Sequence, residues 1–170
     1  MIDALRAKGD RDALGTLTAM GPPPYPGNAD GGGKRAKFLA LLKKSGGYWH
    51  AAKPLNEVGL MLGAPEYSLY EKATFLAHAQ ASQRALMPDF LATDLRRQAP
   101  RIDVPVYFAE GDYDLTAPPA LARAYFDALK APRKAWVAFD ASAHFPQWEE
   151  PARFDALVMA AAAENCRNGV

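Results

Sequence analysis

The chain has 170 residues, 49% of them hydrophobic, and its 20 Lys and Arg against 19 Asp and Glu give a formal net charge of +1. That balance makes no electrostatic case for nucleic acid or a membrane surface as partner, and the apolar share is ample for a core. One cysteine excludes an internal disulfide framework, which fits a reducing cytoplasm.

The N-terminus, MIDALRAKGDRDAL, is charged from residue 3 and has no apolar run of the signal-peptide kind. No stretch approaches the length of a membrane span. Residues 1–20 read as helix, broken near Gly9-Asp10 and ended by Gly21 and three prolines. Residues 22–33 (PPPYPGNADGGG) are loop by composition, of a kind that can link domains. Ala36–Ser45 follows as a helix with Phe38, Leu41 and Leu42 on one face, stopped by Gly46-Gly47. Lys34, Arg35 and Lys37, the densest basic cluster, belong on a solvated face. Tyr48, Trp49 and His50 form an aromatic cluster that either lines a pocket or packs the helices together.

Pro54–Leu62 reads as a short helix and Pro65–Met87 as a longer one; Pro88 breaks the pattern and Asp89–Arg97 resumes it. His78 has neither a partner His nor metal-ligand spacing, so it reads as an ordinary helix residue. Nothing in the chain predicts a metal or cofactor.

The character changes after Ala99–Asp103. Val104, Val106, Tyr107, Phe108 and Ala109, bounded by Pro105 and Gly111, suit a short buried strand. Gly111 permits a tight turn, Asp112 and Asp114 follow the strand's C-terminal end, and Thr116-Ala-Pro-Pro opens a helix. Lys134–Phe139 reads as a second strand, left by the loop Asp140–His144. Glu149, Glu150 and Pro151 then start a helix with Phe154, Leu157, Val158 and Ala161 on one face. Between the strands, residues 118–130 carry Ala122, Tyr125, Phe126 and Leu129 at helical spacing. Strand, helix and strand make a βαβ unit with an expected right-handed crossover, placing Asp114 and His144 on one rim of parallel strands, where α/β sheets carry their sites. An acid there can orient an imidazole. Singly, an Asp in a glycine turn is an ordinary turn-former and a His among aromatics an ordinary packed residue; the paired placement favours function.

The pattern Gly111-x-x-Asp114-x-x-x-Pro118 after one strand, and Ser142-Ala-His144 after the next, resembles the last third of an α/β-hydrolase. GPPPY at Gly21–Tyr25, PEYSL at Pro65–Leu69, YFDALKAPRK at Tyr125–Lys134 and HFPQWEEPARF at His144–Phe154 resemble the proline iminopeptidase branch. The resemblance implies a helical cap over residues 1–98, then the C-terminal βαβα part of an α/β core over 99–170. The fold class is then α/β, mostly helical, with two to three parallel strands. It further implies Asp114 as triad acid, with Asp112 the competitor, His144 as general base, and a peptide or small amide or ester as substrate. Cap carboxylates meet the substrate amine in that branch; Glu57, Glu66 and Glu71 are available, and none aligns to the role.

The nucleophile is missing. α/β-Hydrolases carry it on a G-x-S-x-G elbow ahead of the cap. Ser45, Ser68, Ser82 and Ser142 all lack the two glycines, Cys166 sits in a polar tail, and the oxyanion-hole segment would also lie upstream. The 170 residues alone are therefore expected to be inactive. The chain then reads as part of a hydrolase, as a binding or scaffold protein derived from one, or as half of an enzyme completed by another chain. Two or three strands deprived of sheet neighbours predict oligomerisation, or pairing with the missing N-terminal half.

Overall fold

The computed structural model describes residues 1–23, 25, 33–51 and 56–167. The element order is α1 (Ile2–Ala7), α2 (Arg11–Met20), α3 (Gly33–Ser45), α4 (Glu57–Gly63), α5 (Leu69–Ala92), α6 (Leu95–Gln98), β1 (Val106–Gly111), α7 (Pro119–Ala128), β2 (Lys134–Phe139), α8 (Pro146–Glu149) and α9 (Pro151–Arg167). The fold is helix-dominated and mixed, with a small two-stranded parallel sheet in the order β1-β2.

The break expected near Gly9-Asp10 is real. Gly9 takes a left-handed φ of 67°, and Asp10 caps α2 by accepting the Ala13 amide. α1, α2 and α3 share a small core of Leu5, Ala13, Met20 and Leu41, with Phe38 and Tyr25 against it. Lys8 donates to the Ser45 carbonyl and Lys44 pairs with Asp10, tying the end of α1 to the end of α3. α3 begins at Gly33, earlier than the hydrophobic face predicts. Most of the 22–33 loop and the start expected at Pro54 lie outside the described residues. Lys34, Arg35 and Lys37 are exposed, as a solvated face requires.

Two helix boundaries differ from expectation. α5 begins at Leu69 because Ser68 and Glu71 form a capping box, each satisfying the other's backbone amide. It then runs through Pro88 to Ala92 without breaking. Pro88 and Arg84 are both exposed, so the carbonyl that Pro88 cannot bond lies on a part of the helix open to water, where an unpaired group costs less than in a core.

β1 starts two residues later than the apolar run, since Pro105 has no amide to donate and the ladder begins with the Val106 amide on Arg133. The register pairs Val106 with Lys134 and Gly111 with Phe139. The alternation of strand side chains then divides the packing. Phe108 stacks on its register partner Trp136, and both meet Phe126 of α7 edge-on. On the opposite face Phe139 packs against Phe154 of α9, and Tyr107 donates to Glu164 of α9. One helix therefore lies on each face. Among the described residues no third strand joins the sheet: Arg101 and Lys130 make only an isolated parallel bridge.

Candidate active site

Both strands deliver their loops to the same rim, and the loops touch. The Asp112 amide donates to the Phe139 carbonyl and the Tyr113 amide to the Ser142 carbonyl, so the turn after β1 lies against the loop after β2. The approach is close enough to require glycine. A Cβ at Gly111 would sit 2.0 Å from the Ala143 carbonyl oxygen and 2.5 Å from that of Ser142.

In this turn Asp114 is 4% exposed. Its Oδ1 accepts the amides of Thr116 (2.7 Å) and Ala117 (3.0 Å), which fixes the carboxylate at the entry to α7. Oδ2 is left facing His144, whose Nδ1 lies 2.8 Å away. Asp112 is exposed on the surface of the same turn. The turn thus buries Asp114 against His144 and leaves Asp112 at the surface.

His144 is held by its own loop. The Ser142 hydroxyl and the Ala141 amide donate to Glu150, which also pairs with Arg153. The Ala143 amide donates to Glu149 at 2.8 Å. Sequence reasoning takes Glu149 and Glu150 only as the start of a helix; in fact they shape the turn, Glu149 as the last residue of α8 and Glu150 as its C-cap ahead of α9. Nothing local marks that role.

The electrostatics follow from the pairing. The hydrogen bond to Asp114 raises the His144 pKa above the usual imidazole value; burial opposes it, and the charges of Asp114 and Glu110 add to the rise. Glu110, at the end of β1, has its carboxyl pushed above the usual range, first by burial and then by the Asp114 charge. With Nδ1 committed to a carboxylate, the imidazole presents Nε2 for proton transfer. This is the arrangement by which an acid–histidine pair serves as a general base.

The aromatic cluster packs against these loops, and Tyr48 also reaches Lys43 of α3 and Glu57 of α4. His50 stacks on Tyr113 with centroids 3.6 Å apart, Tyr48 meets Phe145 edge-on at 5.0 Å, and Trp49 lies 6.2 Å from Phe145. The His144 amide donates to the Tyr48 carbonyl. Burial and a hydrogen bond to Glu57 push the Tyr48 pKa up to about 12.

No serine hydroxyl offers itself to the imidazole. Ser142 is fully buried on Glu150, Ser45 bonds the Leu42 carbonyl, Ser68 caps α5 and Ser82 lies exposed on α5. Cys166 is exposed on α9. Glu57 takes the Tyr48 hydroxyl and Glu71 the Ser68 hydroxyl, so both have structural work; Glu66 and His78 are exposed. Among the described residues, no group of three or more His, Cys, Asp or Glu could hold a metal ion, and no helix is long and apolar enough to cross a membrane. A cavity of about 410 Å³ lined by Arg101, Asp103 and Lys130 opens at the N-terminal ends of the strands, the wrong end for the dyad.

Over 118 residues, 69% of its length, the chain is 33% identical to a probable aminopeptidase, YbaC, of Bacillus subtilis (strain 168). It spans 37% of that relative's length. No family model matches the chain, and no solved structure matches it significantly.

Proposed function

We propose that this chain supplies the acid and the base of a serine-hydrolase triad, in an aminopeptidase-type α/β-hydrolase of the proline iminopeptidase kind. The observation that carries the reading is the 2.8 Å contact from Asp114 Oδ2 to His144 Nδ1 at the ends of paired parallel strands. The name of the B. subtilis relative supports a peptidase reaction. In the working enzyme His144 takes the proton of a serine as it attacks the scissile carbonyl, then returns it to the leaving amine. Asp114 holds the ring and stabilises the imidazolium. Residues 1–98 act as the helical cap and 99–170 as the end of the core.

The serine and the oxyanion amides come from sequence this chain does not carry. Losing a triad nucleophile costs on the order of a millionfold in turnover, so the 170 residues alone are inactive. The open edges of the two-stranded sheet pair with the polypeptide that bears the G-x-S-x-G elbow, or with a second copy. A fluorophosphonate probe tests this. It should leave the 170-residue chain unlabelled and label the same sequence joined to an elbow-bearing segment, with labelling lost on His144→Ala. Labelling of the short chain, or undiminished labelling of the joined His144→Ala protein, would overturn the reading.

A further inference from the structure

Glu149 occupies a position that the dyad does not explain. Its Oε2 accepts the backbone amides of His50 at 2.6 Å and Ala51 at 2.8 Å; its Oε1 accepts those of Ala143 at 2.8 Å and Phe145 at 3.4 Å. One carboxylate therefore gathers four N–H groups from segments that lie about a hundred residues apart in sequence. Two of them flank His144 on either side. The other two belong to the segment after α3, whose Tyr48 carbonyl accepts the His144 amide.

We infer that Glu149 is a positioning residue for His144. Resting on the dyad reading above, the inference adds that the imidazole is aimed from behind by a carboxylate clamp that also anchors the Tyr48–Ala51 segment. Only a carboxylate meets the demand, because both oxygens must accept. Glutamine replaces one oxygen with an NH2 group, which would face two N–H donors. Aspartate is one methylene shorter and cannot span both segments. Without the clamp the Ala143–Phe145 turn is free to shift, and the Asp114–His144 bond, which has one productive geometry, weakens with it. The clamp also couples the helical half to the dyad: a movement of the Tyr48–Ala51 segment reaches His144 through a single side chain.

The test is solution NMR on the full 170-residue chain, following amide exchange and the His144 titration in wild type, Glu149→Gln and Asp114→Asn. In wild type the His50, Ala51 and Ala143 amides should exchange at least tenfold more slowly than in an unstructured peptide. Glu149→Gln should abolish that protection and move the His144 pKa down towards its value in Asp114→Asn. Wild-type amides exchanging at peptide rates would overturn the clamp without requiring any variant to fold. A Glu149→Gln protein with the wild-type His144 pKa would overturn the positioning role alone. An Asp114→Asn protein with an unmoved His144 pKa would instead overturn the dyad itself, and the positioning role with it.

Discussion

The Ala143 carbonyl oxygen lies so near Gly111 that there is no room for a side chain between the acid's turn and the histidine's loop. Gly111 has a negative φ, so the constraint is space and not backbone conformation. Gly111→Ala should therefore push the two loops apart, at an overpacking cost of about 1–3 kcal/mol. Urea unfolding should show the lower midpoint, and the His144 pKa should fall as its partner recedes.

The dyad makes stability depend on pH with a definite sign. His144 has a folded pKa above its ordinary value of 6.5. Its contribution is fully present below 6.5 and is lost as pH rises through the folded value, because the folded state holds the proton longer. Unfolding midpoints measured across that window should decline with pH in wild type and flatten in Asp114→Asn. In the elbow-bearing protein the same variant should lower kcat by about ten-thousandfold.

Ser142 is the serine nearest the dyad in sequence, yet its hydroxyl is committed to Glu150. Burial raises the Glu150 pKa, but the Ser142 hydroxyl, the Ala141 amide and Arg153 together outweigh it and leave the pKa lowered. Ser142→Ala should cost about 1.5–3 kcal/mol, the range for a hydrogen bond to a charged group. It should leave fluorophosphonate labelling of the elbow-bearing protein intact.

Ser68→Ala offers a contrast remote from the dyad. Loss of the capping box should destabilise α5 by about 0.5–2 kcal/mol. The His144 titration should stay in place, since the Ser68 hydroxyl engages Glu71 within α5 and not the dyad loops. Helical circular dichroism against temperature, read beside the NMR titration, checks both halves.

α5 buries no residue, and Leu69 and Phe90 are 86% and 72% exposed. Apolar surface so placed favours association. Sedimentation should show self-association of the 170-residue chain, reduced by Leu69→Lys with Phe90→Lys. Unchanged sedimentation would place the contact elsewhere.

The contact between Asp114 and His144 was legible because its signals are local. Gly111, Asp114 and Pro118 punctuate one strand exit, and Ser142 to His144 the other, while period-two and period-3.6 patterns announce the βαβ unit that joins them. The role of Glu149 was not legible, because its partners are backbone amides of His50 and Ala51, which every residue but proline possesses and which no pattern marks. The course of α5 through Pro88 escaped for a related reason: whether a proline ends a helix depends on where the orphaned carbonyl points, and solvent exposure decides that.

The two sets of contacts around His144 also close loops of very different length. Asp114 and His144 are 30 residues apart, with α7 and the strand pairing between them, whereas Glu149 and His50 are 99 apart. Closing the longer loop costs about 1 kcal/mol more in chain entropy if both are flexible. On chain entropy alone, the βαβ unit and its dyad close more readily than the clamp, so refolding is expected to bring the imidazole to its acid before the helical half docks.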